Sequence, residues 1–328
     1  MNQLPDLDAC RAAARTIERQ IHRTPMFSSR SLSEIVGCEV HLKAELFQRT
    51  GSFKLRGAIN RVAALSEQER ACGAVTVSAG NHAQAAALAC ALAGVDLLVF
   101  MPRSASAVKV AATRGYGAGV DLDSADGAEA FARMYSFAQQ SGRAVLQPFD
   151  DARVIAGAAT VGLEICEELP AAPGIVVLVP ASGGGLLSGV AIAVKSLAPA
   201  ARIVAVQPVA SASLLASRRP ARVAAAPPRP PGATTIADAL TAPAIGELNL
   251  RVCAEYVDEV VHLSEEEIRD GMRFIYARAK LACEAGAAVG VGALLAGKVS
   301  DLGAGPVVAV ISGGNITPQV AAGVLSEA

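Results

Sequence analysis

The sequence lacks the features that mark nucleic-acid-binding, membrane and secreted proteins. Its net charge is −1, so no basic excess is present to attract nucleic acid or an anionic membrane surface. Its apolar runs, such as residues 175–179, are of strand length and fall far short of a membrane span. The N-terminus lacks the basic segment followed by an apolar segment that marks a signal peptide. The composition therefore predicts a cytoplasmic protein without nucleic-acid or membrane partners.

The sequence also lacks the clusters of a disulfide framework or a metal site. Its seven cysteines are scattered, odd in number and without a C-x-x-C pair, which predicts reduced and mostly buried thiols. The four histidines lie far apart and suggest no metal centre. What is abundant is apolar: 52% of the 328 residues are hydrophobic, which predicts a large core in one large domain or two ordinary ones.

Short β-branched runs alternate with longer alanine-rich stretches, the pattern of an α/β protein with a mainly parallel sheet. In three units, a buried strand leads into a Ser/Gly loop and then a helix: 74–77 into 81–93, 175–179 into 186–197, and 307–311 into 317–325. Ligands of open α/β sheets bind at this carboxyl edge of the strands. The other predicted elements are strands at 96–101 and 203–206, helices at 108–114 and 126–141, a capping box from Ser264 to Glu267, and a Pro-rich surface loop at 218–232.

Lys54 is the most informative residue, because small residues and glycines flank it and Phe53 directly precedes it. A lysine that forms a Schiff base needs space for an aldehyde and surroundings that lower its pKa. By itself the segment 50–58 is weak evidence, since most lysines are solvated surface residues. The hypothesis that Lys54 forms a Schiff base depends mainly on three glycine-containing loops elsewhere in the chain.

The first loop is Ser182-Gly183-Gly184-Gly185-Leu186, which follows a buried strand and opens a helix. Successive glycines let backbone N–H groups converge, and the helix N-terminus adds partial positive charge, which predicts a phosphate cradle. A tight strand-to-helix turn is the alternative. A dinucleotide site fits less well, because Ser188 stands where the third glycine belongs and Gln207, not an acid, ends the next strand. A Walker loop is excluded, because no Gly-Lys-Ser/Thr follows.

The second loop, Ser78-Ala79-Gly80-Asn81-His82, also joins a strand to a helix. Its backbone N–H groups and the Ser78 hydroxyl offer a cradle for a carboxylate, and the Asn81 amide offers a donor to a phenolate oxygen. The alternative is that Ser78 is a plain N-cap, with His82 in the first helical turn.

The third loop begins at Ser312, whose hydroxyl is a neutral partner for a pyridine nitrogen. Such a partner weakens the ring as an electron sink and favours prompt loss of a β-leaving group. A helix cap is again the alternative. Together, the lysine and the three loops supply the groups that pyridoxal 5'-phosphate needs.

These motifs resemble those of the serine/threonine dehydratase family, pyridoxal-phosphate enzymes of fold type II. The resemblance runs through most of the chain and rests on these segments in order: Arg23-Thr24-Pro25, Leu42-Lys43-Ala44-Glu45, GSFKLRGA, SAGNHAQ, Phe149-Asp150-Asp151, the triple-glycine loop, Thr235-Ile236-Ala237-Asp238, Glu284-Ala285-Gly286-Ala287 and SGGN. It implies a tryptophan synthase β-like fold with two open, twisted, mainly parallel sheets flanked by helices. It also implies a large cofactor domain (1–70 and 150–328), a small domain (71–149) and a homodimer.

The resemblance also implies roles for the site residues. Lys54 would form the Schiff base, Phe53 would pack beside the cofactor ring, and Asn81 would contact the 3'-oxygen. Ser312 would meet the pyridine nitrogen, and Ser182 to Leu186 would hold the phosphate. The substrate carboxylate would lie at Ser78, Ala79, Gly80, Asn81 and His82. The implied reaction is β-elimination from an L-threonine- or L-serine-type amino acid to a 2-oxo acid and ammonia, with Lys54 removing the α-proton.

The sequence departs from the family pattern at several positions. Ser182 replaces the first of four glycines, and Ala239 replaces a glycine after Ala-Asp. Ala79 replaces the second serine of serine racemases, which argues against racemisation as the main activity. The segment 207–213 has no carboxylate where those relatives bind a divalent cation, which predicts no strong metal dependence. The chain ends soon after SGGN, so no isoleucine feedback domain is expected.

Other functions remain open at this point. The substrate could be a bulkier or acidic β-hydroxy amino acid, such as phenylserine or threo-3-hydroxyaspartate. β-Replacement is disfavoured, because cysteine synthases have a different lysine context and a Thr-rich phosphate loop. A Rossmann-like ligand-binding protein without catalysis is a candidate of another class, and it would not need Lys54.

Overall fold

The computed structural model describes residues 3–169, 174–211 and 234–326, and the predicted loop at 218–232 lies outside them. The strands of the described residues are β1 (Met26–Ser28), β2 (Val40–Ala44), β3 (Ala74–Val77), β4 (Leu97–Pro102), β5 (Gly119–Ser124), β6 (Ala144–Val145), β7 (Val176–Pro180), β8 (Arg202–Pro208), β9 (Glu259–Leu263) and β10 (Val307–Ile311).

The α-helices of the same residues are α1 (Leu7–Ile17), α2 (Arg30–Val36), α3 (Lys54–Ala63), α4 (Glu67–Cys72), α5 (Asn81–Leu92), α6 (Ala107–Gly115), α7 (Gly127–Ser141), α8 (Ala152–Glu168), α9 (Gly185–Leu197), α10 (Glu247–Tyr256), α11 (Glu265–Phe274), α12 (Ala285–Leu295) and α13 (Pro318–Ser326). Short 3₁₀ helices cover Glu45–Phe47, Val209–Ser211 and Asp238–Leu240, and a π-helical turn covers Ile275–Ala279. None of the described helices is long and apolar enough to span a membrane.

The larger sheet has the strand order β1-β2-β10-β7-β8-β9 and is parallel except for β1, which pairs antiparallel with β2. Its central strands are buried on both faces, as expected for a parallel sheet covered by helices on each side. Val176 and Leu178 pack in the core with α11 and α12, whereas Val177 and Val179 pack with α8, α9 and α10. Each face of β7 is therefore buried in a different hydrophobic core, which explains why its sequence is apolar without interruption.

The smaller sheet has the order β5-β4-β3-β6, is parallel throughout and uses only residues between 74 and 145. Buried residues of α5 and α6 pack on one of its faces, and those of α7 pack on the other. Helix α3 contacts both α5 and α8, so the helix that begins with Lys54 joins the layers of the two sheets.

The expectation of two mainly parallel sheets flanked by helices is confirmed. The strands at 74–77 and 307–311 have the predicted bounds, and the predicted strand at 175–179 is shifted by one residue. The Ser264 capping box is present, with Glu267 as its partner. Strands β1, β2, β5, β6 and β9 were not predicted. Strand β1 has only three residues and β6 only two, and β2 contains the buried Lys43. None of these three strands therefore gives a clear apolar strand pattern in the sequence.

Candidate active site

One cavity of about 560 Å³ is lined by every residue that the sequence predicted for the site. Its walls are the segments that follow β3, β4, β7 and β10, together with the N-terminus of α3. Because the carboxyl ends of parallel strands form a common edge, the three loops that are far apart in sequence meet here.

Lys54 is the first residue of α3, and its Nζ donates a 2.9 Å hydrogen bond to the carbonyl oxygen of Pro148. The same Nζ lies 5.2 Å from the centroid of the Phe53 ring. Burial lowers the pKa of Lys54 to about 8, against a smaller opposing effect of the negative charge of Glu284. A substantial fraction of the amine is therefore neutral near pH 8, as a lysine nucleophile requires.

The loop before Lys54 is held by the loop that contains Ser312. The N–H of Phe53 donates to the carbonyl oxygen of Ser312 at 3.1 Å, and the N–H of Gly314 donates to that of Gly51 at 2.9 Å. Ser312 itself is buried and lines the cavity. Two predicted site segments are therefore connected through their main chains.

A buried charge network lies behind the first turn of α3. The guanidinium of Arg56 is fully buried and donates to the carboxylates of Glu45 and Glu164 at 2.6–3.0 Å. Lys43, also fully buried, pairs with Glu164 at 2.8 Å. Loss of one partner would leave a buried uncompensated charge, so this network strongly fixes the position of α3.

The triple-glycine loop opens α9. Gly184 is the N-cap, with φ +99°, and as a glycine it has no side chain to cap the N–H groups of this helix end. A Cβ at Gly184 would lie 2.5 Å from the Cβ of Asn249. The position therefore requires glycine both for its left-handed backbone and for lack of space. The hydroxyl of Ser182 accepts a 3.0 Å hydrogen bond from the N–H of Ala242, which ties the loop to the segment after Asp238–Leu240.

The structure shows two features of the loop 78–82 that the sequence did not. The N-cap of α5 is Gly80 rather than Ser78, whose Oγ accepts the N–H of Gly80 at 3.1 Å, so the plain N-cap alternative is wrong. The His82 imidazole is bonded to buried groups: its Nε2 lies 3.0 Å from Thr76 Oγ1 and 3.3 Å from the carbonyl oxygen of Leu146. Any contact of His82 with a carboxylate would therefore come from its main chain.

The charge state of His82 follows from its surroundings. Burial, aided by the positive charge of Lys54, lowers the pKa of His82 to about 3. Because the Thr76 hydroxyl already donates to the carbonyl of Leu146 at 2.7 Å, its oxygen accepts from His82. The imidazole is thus neutral and carries its proton on Nε2.

Three residues of the cavity were given no role from sequence. Glu284 is 4% exposed and accepts a 2.8 Å hydrogen bond from Asn81 Nδ2. Lys109, on α6, pairs with Asp238 at 2.5 Å across the cavity wall. The motif around Glu284 was visible in the sequence, but an acid before an apolar helix is more simply explained as an N-terminal residue that suits the helix dipole.

The cavity has the groups that pyridoxal phosphate requires. A partly buried lysine of low pKa can take the aldehyde, and the N-terminus of α9 can take a phosphate. Phe53, Asn81 and Ser312 also line this cavity and offer an apolar face, an amide and a neutral hydroxyl. Among the described residues, no group of three His, Cys, Asp or Glu side chains could hold a metal ion.

Comparison with known proteins gives consistent results. The model of the family described as pyridoxal-phosphate dependent enzyme matches residues 17–313. The chain is 43% identical over 310 residues to L-threonine ammonia-lyase of Thermotoga maritima, covering 94% of this chain and 75% of that protein. It is 39% identical to L-threonine dehydratase catabolic TdcB of Escherichia coli, covering 93% and 91% of the two chains. The structure of maize serine racemase superposes with a TM-score of 0.88 at 32% identity, covering 99% and 98% of the two chains.

Proposed function

The chain belongs to the family of pyridoxal-phosphate dependent enzymes, and from that premise we propose that it is an L-threonine ammonia-lyase with activity on L-serine. The products would be a 2-oxo acid and ammonia. The observation that carries the proposal is the partly buried Lys54, with a pKa of about 8, in one cavity with the N-terminus of α9. The names of the relatives at 39% and 43% identity support the substrate class.

We propose that the chain holds its cofactor with the residues predicted from sequence. Lys54 would take the aldehyde, the N–H groups of Ser182 to Leu186 would take the phosphate, and Ser312 would meet the pyridine nitrogen. Phe53 would cover the ring, and Asn81 would donate to the 3'-oxygen. Bound there, pyridoxal phosphate supplies an electron sink for the carbanion at Cα.

The chain's own groups would carry out the proton transfers and the positioning. The main chain of residues 78–82 would hold the substrate carboxylate, with the Ser78 hydroxyl beside it. Lys54, released by the incoming amine, would take the Cα proton, for which its lowered pKa suits it near neutral pH. The overall reaction balances, because the amino acid loses water to give an enamine, and hydrolysis of the enamine then gives ammonia and the 2-oxo acid.

We further propose that residues 1–70 and 150–328 form the cofactor domain and residues 71–149 the small domain. The confinement of β3 to β6 to residues 74–145 supports this division. A homodimer and a cytoplasmic location are proposed with it, by analogy with the family.

Serine racemisation is the second candidate, since relatives at 35% identity are named serine racemase. Ala79 disfavours it as the main activity. In the racemases a serine at this position delivers a proton to the second face of Cα, and a methyl group has no proton to deliver.

The proposal is tested by measuring 2-oxo acid release from L-threonine, L-serine, threo-3-hydroxyaspartate and threo-phenylserine. We expect L-threonine to be the best substrate and Lys54→Ala to abolish turnover. Full activity of Lys54→Ala would refute the role of the lysine. A yellow protein that turns over none of the four amino acids would refute the proposed reaction but not the cofactor site. Rapid formation of D-serine from L-serine would favour the racemase instead.

A further inference from the structure

Asn315 makes two hydrogen bonds through one side-chain nitrogen. Its Nδ2 donates to the carbonyl oxygen of Thr50 at 2.8 Å and to Oδ1 of Asn81 at 2.8 Å. Asn315 follows β10, Thr50 lies in the loop before Lys54, and Asn81 begins α5, so one carboxamide joins three segments. The Asn315 carboxamide fits here because residue 51 is a glycine with φ +73°. A Cβ at Gly51 would collide with the carboxamide.

These contacts determine which way each amide points. The main-chain carbonyl of Thr50 can only accept, so Asn315 must present its NH₂ group to it. Both hydrogens of that NH₂ are then used, and the Asn81 atom that faces Asn315 must be the oxygen. Consequently Nδ2 of Asn81 faces the other way, toward Glu284 and the cavity.

Glu284 completes the arrangement from the opposite side. It is the N-cap of α12, yet its side chain makes no capping bond with that helix. Its carboxylate instead lies against Gly313 and accepts one hydrogen of Asn81 Nδ2 at 2.8 Å. None of the ion pairs of the described residues involves Glu284, and the Asn81 amide donates directly to its carboxylate. One hydrogen of Asn81 Nδ2 remains for a ligand in the cavity.

We propose that Asn315 and Glu284 are positioning residues that hold the Asn81 carboxamide in a single orientation, with one N–H directed to an anionic oxygen of the bound cofactor. The inference rests on the proposed function for the identity of that cofactor. Without Asn315, the Asn81 amide can rotate and present its oxygen to the anion, which would repel it.

Burial, aided by the negative charge of Asp238, raises the pKa of Glu284 to about 7; Asn81, Lys109 and Lys54 oppose this. Glu284 accepts from Asn81 through a carboxyl oxygen in either protonation state.

The first test replaces Asn315 by Asp, which has nearly the same shape but cannot donate to Thr50 or Asn81. We expect the visible absorption band of the bound cofactor to shift, and cofactor affinity and kcat/KM to fall roughly 10- to 100-fold. Asn60→Asp is the matched control, because Asn60, like Asn315, donates to a main-chain carbonyl, that of Arg153 at 2.8 Å, and it is buried outside the cavity. An N315D protein whose spectrum and affinity match those of N60D would overturn the inference.

A double-mutant cycle separates positioning from a general structural role. If Asn315 acts through Asn81, then N81A/N315D should be no more than about twofold worse than N81A in cofactor affinity. Additive losses would contradict the inference.

A second pair of variants covers the case in which N315D does not fold. Glu284→Met removes the acceptor and should reproduce the spectral shift, whereas Glu284→Gln keeps an acceptor oxygen and should restore the wild-type spectrum. Equal spectra for E284M and wild type would overturn the role of Glu284. Wild-type protein that binds the cofactor but releases no 2-oxo acid would refute the proposed reaction, while these spectra would still test the positioning.

Discussion

The Nζ of Lys54 donates a hydrogen bond to the carbonyl oxygen of Pro148 at 2.9 Å. The acceptor is neutral, and in the described residues no carboxylate lies at ion-pair distance from this amine. The amine is therefore desolvated without full charge compensation, which is why its pKa falls to about 8. The desolvated amine of Lys54 lowers the stability of the protein while the cofactor is absent.

That cost predicts a pH-dependent stability of the cofactor-free protein. The folded pKa of Lys54 is about 8 and its ordinary value is 10.5, so between these values the unfolded chain binds more protons. The penalty is complete below about pH 8 and disappears as the pH approaches 10.5. Wild-type apoprotein should therefore gain stability relative to Lys54→Met over this interval, by up to roughly 3 kcal/mol, since one pKa unit corresponds to about 1.4 kcal/mol. Urea unfolding of both proteins across the interval measures the difference, and parallel curves would contradict the prediction.

His82 predicts a pH dependence of the same sign on the acid side, with stability rising as the pH rises. Its folded pKa is about 3 and its ordinary value is 6.5, so the unfolded chain binds the extra proton between them, and stability falls as the pH is lowered from 6.5. Wild type should lose up to roughly 2 kcal/mol more than His82→Gln between pH 6.5 and 5, because the full slope is about 1.4 kcal/mol per pH unit. Urea unfolding at these two pH values tests this. An NMR titration in which the His82 imidazole becomes protonated between pH 5 and 8 would show the assignment to be wrong.

Gly184→Ala should weaken cofactor binding at least about tenfold, because the left-handed backbone costs an alanine roughly 1–2 kcal/mol before the contact with Asn249 is counted. Titration of apoprotein with pyridoxal phosphate measures the affinity. Gly127→Ala is the control: Gly127 begins α7, and a Cβ there would meet nothing within 4 Å. Equal affinities of the two variants would argue against a phosphate site at α9.

Activity should not depend on a divalent cation. At the end of β8, the described residues offer the neutral side chains of Gln207 and Ser211, and the Ser211 hydroxyl already donates to the carbonyl oxygen of Leu240 at 2.6 Å. Neutral oxygens alone hold Mg²⁺ poorly. We expect activity after exhaustive treatment with a chelator to equal that of untreated enzyme. Activity that disappears with the chelator and returns with Mg²⁺ would contradict this.

The sequence determined the parts of this protein that depend on neighbours along the chain. The strands at 74–77 and 307–311, the Ser264 capping box and the glycine loop that opens α9 follow from local patterns of burial, hydrogen bonding and backbone freedom. For the same reason, the residues of each loop could be assigned a kind of ligand group before their position in space was known.

Tertiary structure alone decided how side chains from distant segments meet. The Glu284–Asn81 bond joins residues 203 positions apart, and the Asn315–Asn81 bond joins residues 234 apart. The sequence predicted His82 near a substrate carboxylate but could not show that its ring bonds to Thr76 and Leu146, because the orientation of an imidazole at a helix start depends on what packs behind it. Burial likewise sets the pKa of Lys54, since desolvation is a property of the assembled cavity and not of the residues next to a lysine in the chain.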